Sequence, residues 1–247
     1  MTKAKRNREP ALYIIGGEKL LPVNKFHLNR IVPKTNNQDK AFRLYSEGFN
    51  LVLAGSAGVG KTFLAMHLAL AEVMDSTTPY ERVTIVRSTV PTRNQGFLPG
   101  SIAEKQAAYE MPYKGIFREL ICPSISGDVY EKLKAQKSLE FISTSFVRGI
   151  TIDDSIIVVD EFQNMTAHEL DSIITRVGNN CKIIFCGDTR QSDLHNDKLE
   201  HVNFLKILNS LDCFRSIEFG IDDIVRSGLV KSYLIARDGL RLSRISL

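Results

Sequence analysis

The run Gly55-Ser56-Ala57-Gly58-Val59-Gly60-Lys61-Thr62 fits the pattern G-x-x-x-x-G-K-[ST]. Glycines at this spacing let a backbone fold around phosphate oxygens with its amides turned inward. A helix beginning at the lysine aims its positive end at the same point. Lys61 can then reach β- and γ-phosphates, and the Thr62 hydroxyl can ligand magnesium. The expected nucleotide contacts are therefore Gly55, Ser56, Ala57, Gly58, Val59, Gly60, Lys61, Thr62 and the adjoining Phe63. A second run, Ile156 to Val159, is apolar and ends in Asp160-Glu161. Asp160 is expected to hold magnesium through water, and Glu161 to orient and deprotonate an attacking water. A third run, Gly187-Asp188-Thr189-Arg190-Gln191, follows another apolar stretch, and Thr189 and Gln191 can sense a γ-phosphate by hydrogen bonding. Each run has a plain alternative: a glycine turn without ligand, a strand ending in solvated acids, a polar loop. Their co-occurrence, with a strand before the first run and a helix after it, favours phosphate chemistry.

These residues need a scaffold that brings strand ends together. Apolar runs at 50–55, 83–87, 139–143, 155–160 and 182–187 read as strands, with 214–219 as a possible sixth. Helical patterns at 38–48, 61–74, 166–176 and 228–237 fall between or after them. The stretch 94–137 reads as two or three helices marked off by Pro99, Pro112 and Pro123. Continuous apolar strands alternating with helices predict an α/β fold: a mostly parallel sheet with helices on both faces. In such a sheet, ligands bind outside the carboxyl ends of the strands, where all three runs lie. Residues 1–10 read as a solvated tail, and 11–35 as a small hairpin or flanking strand around Gly16-Gly17. The expected division is a tail and flanking segment over 1–35, then an ATPase domain over 36–247.

The chain has 247 residues, 43% of them hydrophobic and 24% charged, which suits a folded protein with a sizeable core. Its net charge of +4 is compatible with a polyanionic partner without requiring one. None of the four cysteines forms a C-x-x-C pair, and Cys181 and Cys186, five apart, should lie on opposite faces of a strand. Neither a signal-peptide pattern nor an eighteen-residue apolar stretch occurs. The expectation is a cytoplasmic protein without a membrane partner.

The stretches AGSAGVGKTFLA, GFLPG (96–100) with Lys105 after it, FVRGITIDDSIIVVDEFQN (146–164), CGDTRQSDL (186–194) and DIVRSGLV (223–230) make the chain resemble the PhoH family, a branch of the superfamily 1 helicase-like ATPases. The resemblance spans about residues 36 to 237 and implies a RecA-like P-loop core. It also implies ATP and magnesium as ligands and an RNA or single-stranded DNA helicase or translocase role. Gln38 lies where these ATPases carry an adenine-contacting glutamine, though a surface polar residue is the alternative. The length leads us to expect a short stand-alone form similar to those of bacteriophages, working in the host cytoplasm, without the further domains of longer members. Phosphoryl transfer calls for a cation at the developing charge. Arg226 in DIVR and Arg148 in FVRG are the candidates the resemblance offers, with Arg87 at a strand end as another. A lone RecA-like core leaves one side of its nucleotide open, so a homo-oligomer, as in a hexameric ring, is expected to supply the arginine from a neighbour. Arg93, Lys105, Lys114 and Arg118 can line a nucleic-acid path or form a solvated helical face. A nucleotide-dependent regulatory switch linked to phosphate starvation, without helicase activity, is the alternative function. A small-molecule kinase is disfavoured, because a glutamate that activates water would waste ATP.

Overall fold

The computed structural model describes residues 14–15, 18–19, 26–89, 102–121, 128–188 and 198–245. A two-residue pair, β1 (Ile14–Ile15) and β2 (Glu18–Lys19), forms an antiparallel hairpin. Its position around Gly16-Gly17 was expected. Helix α1 (Asn36–Ser46) begins at Thr35, whose hydroxyl accepts from the Gln38 amide. This N-cap starts the helix two residues before the apolar pattern does.

Six strands among the described residues form one sheet: β3 (Asn50–Gly55), β4 (Arg82–Arg87), β5 (Leu139–Ser143), β6 (Ser155–Asp160), β7 (Lys182–Gly187) and β8 (Phe214–Phe219). The spatial order is β5-β4-β6-β7-β3-β8, and every neighbouring pair is parallel. Side chains alternate between two cores, as a period of two requires. Leu51, Leu53, Val83, Ile85, Ile156, Val158, Ile184 and Ile217 enter one. Val52, Val86, Ile157, Val159, Ile183 and Phe185 enter the other.

Helix α1, α2 (Lys61–Met74), α3 (Ile102–Leu120) and α4 (Val129–Ala135) cover the first face, joined there by Leu234 of α7 (Gly228–Ile245). Helices α5 (Ala167–Ile174) and α6 (Lys198–Ser210) cover the second. Cys186 sits in the first core and Cys181 packs against the second, on opposite faces as expected. No helix among the described residues is long and apolar enough to cross a membrane.

Pro112 was expected to end a helix, yet α3 runs through it. An interior proline costs about 3 kcal/mol. Beyond it, α3 buries Tyr113, Phe117 and Leu120 completely. At about 1.5–3 kcal/mol per large apolar side chain, that burial outweighs the break.

Candidate functional site

Parallel strands put all their carboxyl ends on one edge, and the register fixes which ends meet. Arg87 pairs with Asp160, Asp160 with Cys186, and Ala54 with Gly187. Strand β7 thus separates the glycine loop after β3 from the acidic pair after β6. A cleft of about 550 Å³ opens over this edge. The glycine loop, Lys61 to Leu64, Asp160, Glu161 and Gly187 contribute to its floor. Ile31, Val32 and Lys34 line it from the N-terminal side, and Pro112, Tyr113, Ile116 and Glu119 from α3.

The loop needs its glycines. Gly55, at φ +147°, would put a Cβ 2.4 Å from the Phe219 carbonyl oxygen. Gly58 and Gly60 have φ of +88° and +84°. Val59 anchors the loop by complete burial. Lys61 donates from Nζ to the carbonyl oxygens of Gly55 (2.8 Å) and Ser56 (3.0 Å), so the ammonium lies back against the loop.

Asp160 is buried at the centre of the site, with 4% exposure. Thr62 donates its hydroxyl to Asp160 Oδ1 (2.7 Å), and Tyr113 donates its hydroxyl to Oδ2 (2.8 Å). Burial, and then the Glu161 charge, push the Asp160 carboxyl above its ordinary value against the pull of Thr62, Tyr113 and Arg87. A buried carboxylate in that state gains from a cation beside it. Among the described residues no group of three or more His, Cys, Asp or Glu stands together as a metal cage. The Thr62 hydroxyl and the Asp160 carboxylate are oxygen donors of the kind magnesium takes alongside water and phosphate oxygens.

Glu161 follows in a left-handed conformation, φ +54°. Gln163, on the same turn, donates from Nε2 to Glu161 Oε2 and accepts at Oε1 from the Asp188 amide (2.9 Å). It links the acidic pair to the end of β7.

A family model described as PhoH-like protein matches residues 30–237. The chain belongs to the PhoH-like family. A PhoH-like protein of Mycobacterium leprae (strain TN) is 31% identical over 206 residues, covering 83% of this chain and 57% of that protein. Protein PhoH2 of Bacillus subtilis (strain 168) is 34% identical over 170 residues, covering 68% and 38% respectively. The PhoH-like chain thus spans little more than half the length of such relatives at most. Among solved structures, the large terminase from a thermophilic bacteriophage matches with a TM-score of 0.50 at 15% identity, over 82% of this chain and 50% of that one. With the sheet order above, that likeness identifies a RecA-like P-loop NTPase fold.

Of the residues expected from Gly55 to Phe63, Ala57, Gly58, Gly60, Lys61, Thr62 and Phe63 line the cleft together with Asp160 and Glu161. Gln38 lines it too, but its amide donates to the Val59 carbonyl (3.2 Å) and accepts from the Lys34 amide (2.8 Å). It ties the N-terminal segment to the loop and keeps one N–H and one lone pair for a ligand.

Arg226 lines the cleft of its own chain; its Cγ would lie 3.1 Å from a Cβ on Gly58. The Val225 amide donates to the Gly58 carbonyl (3.2 Å), fixing that position. Arg226, expected to be offered to a neighbour's site, stands at the cleft of its own chain. Arg148 is exposed beyond edge strand β5 and is not among the cleft residues. Arg87 lines the cleft beside Asp160.

Lys114 pairs with Glu131 (2.6 Å), and Arg118 lies 3.7 Å from Asp128, which favours the solvated face over a phosphate path. Thr189, Gln191, Arg93 and the 96–100 segment lie outside the described residues, as does the side chain of Lys105. Tyr113 and Gln163 went unnoticed in the sequence. Gln163 carries a faint signal, an amide two residues after the acidic pair; Tyr113, one aromatic beside a proline in a helix, carries none.

Proposed function

We propose that the PhoH-like chain binds ATP with magnesium in this cleft, hydrolyses it, and couples hydrolysis to remodelling of, or translocation on, RNA or single-stranded DNA. The activity is assigned to residues 36–247, with 1–35 as a flanking segment. The observation that carries the reading is the Thr62–Asp160 hydrogen bond of 2.7 Å. It joins the glycine loop to the acidic strand end and leaves Glu161 as the next side chain. The loop amides and the start of α2 receive the phosphates, and Lys61 exchanges its loop carbonyls for phosphate oxygens. Thr62 directly, and Asp160 through water, would hold magnesium, which would neutralise charge on the phosphate oxygens. Glu161 accepts a proton from water as the water oxygen bonds to the γ-phosphorus and the bond to the bridging oxygen breaks. ADP and phosphate leave. Gln191 is assigned the sensing of the γ-phosphate.

The protein works as a homo-oligomer, for which a hexameric ring is the proposed form. Edge strand β5, which Arg148 follows in the chain, lies four strand positions from β3, about 19 Å at about 4.8 Å per strand, and Arg148 is not among the cleft residues. That separation suits a guanidinium offered to a neighbour's cleft in a closed head-to-tail ring. Arg226 instead serves the nucleotide of its own chain.

A second reading is favoured by one contact. The Gln163 amide occupies a Glu161 oxygen, as it would in a nucleotide-dependent switch whose base is held back. ATP hydrolysis measured with and without RNA and single-stranded DNA, over a range of salt, separates the two. Stimulation that falls steeply with salt is expected for a strand-bound motor. A basal rate indifferent to both nucleic acids supports the switch and removes the remodelling role.

A further inference from the structure

Every carboxylate that holds a metal must itself be held. Asp160 could turn about its side-chain torsions, but both oxygens are taken by hydroxyl donors from different helices: Thr62 from α2 and Tyr113 from α3. Thr62 belongs to the glycine-loop motif. Tyr113 belongs to no motif, and its ring is completely buried. The ring packs on Phe141 with centroids 5.9 Å apart, and the Arg87 guanidinium carbon lies 5.9 Å from its centroid. The phenol donates its O–H to the carboxylate, as a neutral tyrosine does. The same helix presents Pro112, Ile116 and Glu119 to the cleft. One element therefore lines the space a nucleotide would fill and grips the carboxylate beneath it.

We propose that Tyr113 is a positioning residue for Asp160, and that through it helix α3 sets how strongly magnesium is held with a nucleotide in the cleft. The proposal rests on the reading of the cleft as an ATP–magnesium site. The phenol fixes Oδ2 and so leaves the remaining lone pairs of Asp160 aimed in one direction for metal-bound water. Without the hydroxyl, Oδ2 loses a hydrogen bond to a charged acceptor and the carboxylate gains freedom to turn. Anything that moves α3 would then change the metal site by the same route.

The test is the magnesium dependence of ADP binding, measured by calorimetry on the full chain, for the wild type, Tyr113→Phe and Phe141→Leu. Tyr113→Phe keeps the ring and deletes the hydroxyl. It should raise the magnesium concentration needed for half-maximal enhancement by about tenfold, the scale of one hydrogen bond to a charged group. Its affinity for ADP without metal should stay within about twofold of wild type, since no phosphate contact is removed. Phe141→Leu loosens the packing around Tyr113 but leaves its hydroxyl in place, and should shift the magnesium dependence clearly less than Tyr113→Phe does. The proposal is overturned if Tyr113→Phe has the wild-type magnesium dependence, or if Phe141→Leu shifts it equally. A wild type that binds ADP without regard to magnesium overturns the proposal and the metal assignment together. A wild type that binds no nucleotide overturns the reading of the cleft itself.

Discussion

Gly187 closes strand β7, which lies between the strands carrying the glycine loop and the acidic pair, and it has no space for a side chain. A Cβ there would lie 2.5 Å from Gln163 Oε1 and 2.6 Å from two ring atoms of Phe162. Gln163 and Phe162 are 5% and 1% exposed, so neither can swing into solvent. Gly187→Ala must therefore push the Gln163 amide away from the Asp188 N–H it accepts and the Glu161 carboxylate it donates to. Overpacking costs about 1–3 kcal/mol. A buried donor left unpaired costs about 1–3 kcal/mol more. Partial relaxation brings the expected total to about 2–4 kcal/mol. For a chain of this size that lowers Tm by about 4–16 °C. Gly115→Ala is the control of opposite sign: it lies within α3 and its Cβ would meet nothing within 4 Å. An alanine there should stabilise by about 0.5–1 kcal/mol. Thermal melts of the three proteins, followed by circular dichroism, decide the matter. If Gly187→Ala melts with the wild type or above it, as Gly115→Ala should, the tight junction at the end of β7 is misdescribed.

Glu161→Gln should bind ATP with magnesium but turn it over at least about a hundredfold more slowly, the scale of a lost general base; normal single-turnover kinetics would assign the base elsewhere. Arg148→Ala should retain nucleotide affinity and lose about a thousandfold in rate, as expected of an arginine finger. Mixing it with Glu161→Gln should restore activity in part, because a mixed interface pairs an intact Glu161 with an intact Arg148; a verified mixed oligomer without rescue refutes the trans assignment. Arg226→Ala should instead weaken ATP binding in its own subunit, read by equilibrium titration. Asp223 accepts from the Asn37 side chain (2.8 Å) and the Gly220 amide (2.8 Å), joining α1 to the turn that carries Arg226. Burial raises its pKa, but its bonds to Thr35, Asn37 and Gly220 together take it below the ordinary 3.8. The stability it contributes is present above pH 3.8 and is lost as pH falls through its lower folded value. The Tm difference between wild type and Asp223→Asn should therefore be clear at about pH 6 and shrink at about pH 3; a difference that grows in acid would refute the linkage.

The inner strands were legible because they are buried on both faces and so read as unbroken apolar runs; edge strand β8, FRSIEF, is only partly buried. β3, β5, β6, β7 and β8 have the bounds their runs suggest, and β4 differs by one residue. Helix α6 was not foreseen. Its exposed Leu199, Val202 and Ile207 blur the stripe formed by His201, Phe204 and Leu208, so no clear period emerges. The break expected at Pro112 failed for a related reason: a local signal gave way to the burial of side chains that follow it. In the site, the glycine loop and Asp160-Glu161 could be found because their spacing is itself the chemistry. Tyr113 reaches Asp160 across 47 residues, and Arg226 reaches Gly58 only because β8 lies beside β3. Contacts of that kind belong to the topology and leave no local pattern.

The most direct test of the central claim is phosphate release from ATP by wild type and Lys61→Ala, each verified as folded, with magnesium and with single-stranded RNA or DNA present. The Lys61 ammonium lies against the glycine loop itself, and removing it deletes the point charge over the phosphates while the fold keeps its core. The account predicts steady release by the wild type and none above background by Lys61→Ala. Equal release by both proteins would contradict it.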